Sequence, residues 1–360
     1  MGGLFKMKKR FTIISLLLIT VLLFSAAASA ESMEINLEKA YQLTLDDNTS
    51  LKIAQKELEN KRIQYEKSKA QNLLNQSNFS EVQAEYNLIA AQKSYVDTAN
   101  NLLKQTLQQY TEILLKQKNI ETLDKQIKLN ENLLSEVKAQ YEVGEKSQLD
   151  ILDQQIELND LIQEREQLKN EYEQLKTEFK VQLDIDRATD ISVVELSEPE
   201  YLNLSEEDIY NRALENSWDM KMNNLNLELA EIDQRKKEVV SSSDMDKEIA
   251  DNDVEIAKLQ LEKQKQDIRN QARELNNQLS NIKSNINISK DRIRKANETY
   301  NILQEQYKSG LITQNDLHEG EISVLQSEYQ LYNAYMSYYI QKLNVEKFME
   351  PEAGVLEDEN

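Results

Sequence analysis

Two pairs of carboxylates have the spacing expected of side chains that act together on one helix face. Asp150 and Asp153 form the first pair, and Asp316 and Glu319 form the second. Carboxylates at positions i and i+3 lie on the same face, and rings of them at a narrow opening attract cations and repel anions. Alternatively, they stabilise a helix start, where acidic side chains interact favourably with the helix dipole. The sequence leaves both interpretations open.

Most catalytic and metal chemistry is excluded by residue types that are scarce or missing. The 360 residues include no Cys, so a thiolate nucleophile, a disulfide and a cysteine zinc site cannot form. The single histidine, His318, has no second histidine with which to build a metal site, and we interpret it as a solvated helix residue. Six glycines are too few for a phosphate-binding loop within a βαβ sheet. We therefore predict no enzyme activity, no cofactor and no bound metal.

The charge of the chain and its first residues indicate an exported protein that does not bind nucleic acid. The formal net charge is −21, which disfavours contact with nucleic-acid phosphates. Residues 1–30 combine four basic side chains, an apolar stretch and a small-residue cleavage site at 28–30, which is typical of a secretory signal peptide. An uncleaved membrane anchor is the alternative, because residues 11–30 are nearly long enough to span a bilayer.

Apolar residues recur every three or four positions in the rest of the chain, which predicts long coiled-coil helices. One such stripe contains Leu275, Leu279, Ile282 and Ile286, and the faces between stripes are rich in Glu, Lys, Gln and Asn. A narrow apolar seam packs a helix side by side with other helices and does not build a thick globular core.

Two glycines interrupt the helical pattern and predict tight turns between antiparallel helices. Gly144 precedes the N-cap candidate Ser147, and Gly310 precedes the N-cap candidate Thr313. Glycine tolerates the left-handed backbone conformation that ends many helices. We predict long helices before the turns at 81–140 and 246–306, returning helices at 149–183 and 315–348, and a shorter helix at 51–72.

The two halves of the chain repeat each other. The segment around Gly144 returns around Gly310 at an offset of 166 residues, and Asp150 corresponds to Asp316. The predicted fold class is therefore all-α, with a two-fold internal repeat of long antiparallel coiled-coil hairpins. The predicted organisation is a signal peptide at 1–30, a first helical-hairpin repeat at 31–184, a linker at 185–203, a second repeat at 204–349 and a disordered acidic tail at 350–360.

The motifs beside the two turns resemble those of TolC-like outer membrane efflux proteins. Tyr141, Gly144 and the run from Asp150 to Asp153 are similar to the turn motif of that family, and residues 307–319 carry the motif again. The resemblance implies a homotrimer whose helices form a tunnel in the cell envelope. It also implies two partners, a periplasmic adaptor (a membrane fusion protein) and an inner-membrane transporter.

One departure from the family concerns the β-strands that its members place between the short outer helix and the long helix. The corresponding gaps here are only residues 75–80 and 241–244, whereas a strand of a membrane β-barrel needs about 9–11 residues. We therefore expect the helical tunnel with little or no β-barrel. The expected location is the cell envelope, either periplasmic or associated with an outer membrane, or extracytoplasmic in a cell without one.

The resemblance also implies roles for residues near the turns. The residues implied to constrict the tunnel are Asp150, Asp153, Asp316 and Glu319, with Tyr307 taking part in a hydrogen-bonded latch. Simple packing of Tyr307 at a helix seam is the alternative. The residues implied to dock an adaptor are Val143, Gly144, Ser309, Gly310 and Leu311. For the glycines, the alternative is that they serve only to turn the chain.

The sequence leads to an efflux component as the predicted function, with a structural alternative. In the first case the chain forms an oligomeric helical tunnel that works with an adaptor and an inner-membrane pump. In the alternative, the chain is a coiled-coil scaffold of the cell envelope without a conduit. A third candidate, an adaptor-like hairpin protein, is disfavoured because adaptors carry β-rich domains that the sequence lacks. A polar lining would indicate a conduit, whereas an apolar central seam would indicate a scaffold.

Overall fold

The computed structural model describes residues 33–46, 48–75, 78–240 and 243–351. Within these residues the chain forms two short strands and a series of helices. In chain order they are β1 (Met33–Ile35), α1 (Leu37–Asp46), α2 (Thr49–Asn75), α3 (Asn78–Glu142), α4 (Gln148–Gln182), β2 (Ile191–Val193), α5 (Glu206–Asn216), α6 (Trp218–Val240), α7 (Asp244–Lys308) and α8 (Gln314–Met349). The predicted signal peptide and residues 352–360 of the predicted tail lie outside the described residues.

The helices confirm the predicted fold class. The order of a short helix, a medium helix, a long helix and a returning helix occurs twice, first as α1 to α4 and then as α5 to α8. Both long helices, α3 and α7, have 65 residues, which corresponds to about 98 Å at 1.5 Å per residue. The gaps between α2 and α3 and between α6 and α7 are short. α3 begins three residues after the end of α2, and α7 begins four residues after the end of α6.

The helices pack side by side in an open array. Towards the glycine turns the order is α4, α3, α8 and α7, and towards the other end it is α2, α3, α6 and α7. The neighbouring helices α3 and α8 run antiparallel, since Lys125 lies 2.8 Å from Glu321 while Asn100 donates a hydrogen bond to the carbonyl oxygen of Pro351. Both glycine turns therefore lie at one end of the molecule, which we call the glycine end.

The segment between the halves packs closely against the helices. β2 pairs with β1 in parallel, with Met33 opposite Ile191 and Ile35 opposite Val193. The hydroxyl of the buried Tyr110 on α3 lies 2.6 Å from the carbonyl oxygen of Val194 and 3.1 Å from that of Ile35. The predicted linker at 185–203 thus forms part of the central core, and the sequence analysis did not predict its strand.

Tyrosines of α8 hold the next part of this segment. The hydroxyl groups of Tyr332 and Tyr338 accept hydrogen bonds from the backbone N–H groups of Leu196 and Leu202, at 2.9 and 2.8 Å. Burial raises the pKa of Tyr332 to about 12, so this hydroxyl stays protonated at neutral pH. Because isolated backbone N–H groups are costly to bury, these bonds fix the path of the chain between the repeats.

Candidate functional site

The first glycine turn closes the α3–α4 hairpin with a C-terminal cap. Gly144 has φ +82°, in the left-handed region that glycine occupies without steric cost. Its N–H donates to the carbonyl oxygen of Tyr141 at 3.0 Å, and the N–H of Glu145 donates to that of Gln140 at 2.9 Å. This pair of bonds is the Schellman arrangement, which satisfies carbonyl groups left open at a helix end.

The second turn repeats this geometry between α7 and α8. Gly310 has φ +69°, its N–H donates to the carbonyl oxygen of Tyr307 at 2.9 Å, and the N–H of Leu311 donates to that of Gln306 at 2.9 Å. The hydroxyl of Ser309 donates to the carbonyl oxygen of Glu305 at 2.9 Å. The interpretation of both glycines as turn residues is thus supported by matching backbone conformation and hydrogen bonds.

A capping box starts α4 directly after the first turn. The Asp150 N–H donates to the Ser147 hydroxyl oxygen at 3.3 Å, while one Asp150 carboxylate oxygen accepts from the backbone N–H and the hydroxyl of Ser147, both at 2.7 Å. Hydrogen bonding to the ionised form, first from the Ser147 backbone, holds the pKa of Asp150 below its ordinary value. Asp150 is therefore the N3 acid of a capping box.

The second turn is followed by the same arrangement at α8. Thr313 donates to one Asp316 carboxylate oxygen from its hydroxyl at 2.7 Å and from its backbone N–H at 2.8 Å. These bonds, first that of the hydroxyl, hold the pKa of Asp316 below its ordinary value. Asp150 and Asp316 therefore make the contacts expected of acidic residues at a helix start, which is one of the two roles that the sequence left open. Asp153 and Glu319, one turn further along, are exposed.

The residues predicted to dock an adaptor form two exposed tips at the glycine end. Val143 has 72% of its surface exposed, and Leu311 has 74%. No atom lies within 4 Å of the position that a Cβ would occupy on Gly144 or Gly310. The ring of Tyr307 is also exposed. The fold therefore brings all the predicted site residues to one end of the molecule, on two neighbouring hairpins.

A charged contact between the hairpins lies close to this end and was not predicted. Glu321 on α8 lies 2.8 Å from Lys125 on α3, and the ring Nδ1 of His318 lies 3.5 Å from Glu321. The hydrogen bond from Lys125 lowers the pKa of Glu321. Only 18% of the His318 side chain is exposed, so this residue is mostly covered rather than solvated as expected. No local sequence signal links positions 196 residues apart.

The outer helix α7 carries two apolar faces. One face, which contains Ala272, Leu279 and Ile286, is buried within the chain. A second set of apolar side chains is exposed and, at about 100° per residue, lies on nearly the opposite side of the helix, about 170° from the first. The members of this set, which we call the α7 outer stripe, are Met245, Ile249, Ile256, Leu259, Ile288 and Ile302.

The opposite outer helix, α4, also has an exposed apolar stripe. Leu149, Leu152 and Ile156 follow one another at i, i+3 and i+7, on the side of α4 away from the buried Phe179. We call these three residues the α4 outer stripe. The open array therefore ends in an apolar surface on both sides, and the spacing of both stripes was readable in the sequence but was not identified there.

Nowhere in ranges 33–46, 48–75, 78–240 and 243–351 do three or more His, Cys, Asp or Glu side chains group as metal ligands. In the same ranges, none of the helices has the length and apolar character needed to cross a membrane.

Comparison with known proteins gives a family match in the second half of the chain. Residues 246–349, which cover α8 and nearly all of α7, match the model of the family described as outer membrane efflux protein. No curated protein sequence matches the chain. The match includes the second glycine turn, where the sequence motif had indicated a resemblance to this family.

Solved channel structures share the fold of nearly the whole chain. The outer membrane protein VceC of Vibrio cholerae matches with a TM-score of 0.61 and 12% identity, covering 87% of this chain and 95% of its own. The CmeC outer membrane channel of Campylobacter jejuni gives a TM-score of 0.62 at 12% identity, with 90% and 87% covered. The open MtrE channel of Neisseria gonorrhoeae gives 0.53 at 13%, with 87% and 88% covered. The predicted resemblance to TolC-like proteins is therefore confirmed.

Proposed function

We propose that this chain is an efflux component that forms a closed helical tunnel of three copies in the cell envelope. The observation that carries the proposal is the pair of apolar outer stripes, because each lies on the outermost helix of an open array. An apolar stripe facing water is unfavourable by roughly 25 cal/mol per Å². Contact of the α7 outer stripe of one copy with the next copy would cover these surfaces, with Ile302 near the level of the α4 outer stripe and Ile256 level with the exposed Ile63 of α2.

Such a contact is head-to-tail, and a head-to-tail contact closes into a ring when the rotation between copies permits it. The internal repeat supports closure, since one chain already contributes two similar hairpins in similar orientations. The number of three copies follows from the resemblance to TolC-like proteins. The same resemblance supports an envelope location, with an adaptor and an inner-membrane pump as partners.

The polar faces of α7 favour a tunnel over a solid bundle. Between its two apolar faces, one side of the helix carries the exposed residues Asp253, Gln260 and Gln271, and the other carries Lys258 and Glu262. A helix in a ring has neighbours on two sides and water on the other two. In a solid scaffold one of these polar faces would be buried, which is costly without compensating hydrogen bonds.

The acidic residues at the glycine end would form the gate of the tunnel. Asp150 and Asp316 are occupied as helix caps, so we assign the constriction first to the exposed Asp153 and Glu319, which share helix faces with them. Tyr307 would contribute beside them. Three copies would place several carboxylates around one opening, which favours the passage of cations over anions.

The exposed tips supply the docking surface for an adaptor. Val143 and Leu311 project beside the turns, while Gly144, Ser309 and Gly310 leave the backbone open to a partner. Because the chain has no cysteine, a single Leu311→Cys substitution would give one defined attachment point for a photo-crosslinker. An adaptor should then be recovered from intact envelopes, and the corresponding variant at the exposed Lys258 should not recover it.

The test of the tunnel is the mass of the purified chain in solution, measured by light scattering without detergent. We expect a trimer, and we expect Ile256→Asp with Leu259→Asp to shift the chain towards monomer by placing charge in the α7 outer stripe. The matched control, Gln260→Asp with Gln271→Asp, adds the same charge on a polar face and should leave the trimer intact. A wild-type chain that stays monomeric at all concentrations would refute the autonomous tunnel and favour the scaffold.

A further inference from the structure

The α7 outer stripe is interrupted in the middle of the helix. Between Leu259 and Ile288, the positions on that side of α7 carry no apolar residue. Four exposed amide side chains lie there instead, on the same side as the α7 outer stripe at about 100° per residue. We call them the α7 amide zone, and they are Gln266, Asn270, Asn277 and Asn281. For about four helical turns, hydrogen-bonding groups therefore replace the apolar surface.

The opposite flank of the molecule also changes at one level, because two helices meet there end to end. α2 and α3 form a hairpin in which Asn72 contacts Glu81, so the 27 residues of α2 pair with about the first 27 of α3. The 35 residues of α4 pair with about the last 35 of α3. The start of α2 and the end of α4 therefore meet opposite about residues 104–108 of α3, in agreement with a hydrogen bond of 2.7 Å from Gln182 to Thr106. We call this place the α4–α2 junction.

The α7 amide zone lies at the level of the α4–α2 junction. α3 and α7 have 65 residues each and both run to the glycine end, and the internal repeat relates them at an offset of 166. The offset holds in the middle of the helices, since Thr106 and Ala272, which it relates, are both fully buried. Residues 104–108 of α3 thus correspond to residues 270–274 of α7. A second copy whose α4 and α2 lie along α7 would therefore present its junction to the amide zone.

The contact expected between copies already occurs once within the chain. Asn100 on α3 is buried, and its side-chain amide donates to the carbonyl oxygen of Pro351, just past the end of α8, at 2.9 Å. The offset of 166 relates Asn100 to Gln266 of the amide zone, and Pro351 to Ile185, just past the end of α4. α3 has α8 as its neighbour in the same way that α7 would have α4 of the next copy. The contact of Asn100 therefore predicts the partner of Gln266.

Two further contacts between the hairpins follow the same relation. Lys93 on α3 forms an ion pair with α6, and Lys125 on α3 forms one with α8. At the offset of 166 these positions become Leu259 and Asp291 of α7, and both are exposed. The side of α3 that contacts the next hairpin therefore corresponds to the side of α7 that has no neighbour within the chain.

The loop that follows α4 presents backbone groups that suit amide side chains. Its residues Asp184 and 186–188 are exposed, and Asp184 turns the chain with φ +54°. The last carbonyl groups of a helix have no partner within the helix. A carboxamide can donate to such a carbonyl oxygen and accept from a backbone N–H at the same time. An apolar side chain pressed against the same groups would bury them without partners, which is costly.

We propose that the α7 amide zone binds the α4–α2 junction of a second copy, with Gln266 donating a hydrogen bond to the carbonyl oxygen of Ile185 in that copy. The inference rests on the proposed ring and names the contact that fixes the axial position of one copy against the next. An axial shift that moved the amide zone off the junction would place apolar side chains against open backbone groups. Polar groups within an otherwise apolar helix contact fix register in this way.

Cross-linking of the full chain tests this contact directly, because the chain has no cysteine of its own. Gln266→Cys with Arg187→Cys, treated with a short thiol-to-thiol cross-linker, should give covalent dimers and trimers on a denaturing gel. Linkage within one chain is not expected, since α3 and α8 separate α4 from α7. The control, Gln271→Cys with Arg187→Cys, places an exposed thiol about 140° around α7 from position 266. It should give far less of the linked product.

The second measurement is the concentration at which the trimer dissociates, followed by light scattering. Gln266→Leu keeps the approximate size of the side chain and removes the donor, which should raise that concentration about tenfold or more. Gln271→Leu, the same substitution on a polar face of α7, should change it less than about twofold. Circular dichroism will show that both variants retain the helical content of the parent chain.

Three results would overturn the inference. Equal cross-linking from positions 266 and 271 would indicate random collision of copies, and unchanged dissociation of Gln266→Leu would mean that the amide zone faces water. A wild-type trimer whose 266–187 pair gives no product would refute this contact and leave the tunnel standing. Failure of the tunnel itself is visible from mass alone, because the wild-type chain would then be monomeric at all concentrations, and the contact would fall with it.

Discussion

Replacing Tyr110 by phenylalanine tests whether the strand pair β1–β2 is held to the helices by one buried hydroxyl. Tyr110 is fully buried, and its hydroxyl lies 2.6 Å from the carbonyl oxygen of Val194. The oxygen of Ile35, 3.1 Å from the same hydroxyl, already accepts a bond from the Val194 N–H at 3.0 Å. The substitution therefore leaves one carbonyl group, that of Val194, without its partner.

The expected cost follows from that single group. Removing one partner of a buried hydrogen bond costs about 1–3 kcal/mol, so we take about 2 kcal/mol for Tyr110→Phe. The ring itself stays, including its edge-to-face contact with Phe179 at a centroid distance of 6.2 Å. Since every 1.4 kcal/mol is a factor of ten, local opening of the strand pair should become about 30-fold more frequent.

Amide hydrogen exchange measures this opening directly. Residues 190–196 should exchange about 30-fold faster in Tyr110→Phe, whereas amides in the middle of α7 should keep their rates. The control is Tyr339→Phe, because the Tyr339 hydroxyl reaches the carbonyl oxygen of Ser197 at 3.3 Å in an exposed contact. We expect that control to change exchange less than threefold. Equal effects of the two variants would refute the assignment of the strand pair to the Tyr110 hydroxyl.

Further predictions concern the glycine end. Gly144→Ala and Gly310→Ala should each destabilise the chain by about 1–2 kcal/mol in urea unfolding, because a left-handed backbone is unfavourable for alanine even without a steric clash. The lowered pKa values of Asp150 and Asp316 mean that their contribution is complete above the unfolded pKa near 4 and is lost as the pH falls through the folded pKa. The protection of residues 147–150 and 313–316, taken relative to the intrinsic exchange rate at each pH, should therefore fall in acid, and Asp150→Asn with Asp316→Asn should remove that dependence. Ser147→Ala should cost about 1 kcal/mol in unfolding free energy, whereas substitution of the exposed Ser309 by alanine should cost less.

The helices and their ends were largely predictable from the sequence, because local signals define them. The prediction of 81–140 for α3 compares with Asn78–Glu142, and that of 315–348 for α8 compares with Gln314–Met349. The turns are marked by single residues: Gly144 tolerates a left-handed backbone at a helix end, and Ser147 and Thr313 cap the helices that follow. Stripe periodicity then fixed which elements were helical without any knowledge of the fold.

The strand pair and the interhelical contacts were not predictable in the same way. β1 and β2 have three residues each and pair across 158 positions, so neither periodicity nor turn residues mark them. The same holds for Lys125 and Glu321, whose contact depends on which helices become neighbours. At the candidate site, the sequence identified Asp150 and Asp316 but left their role open, and only the capping geometry shows which atoms they contact.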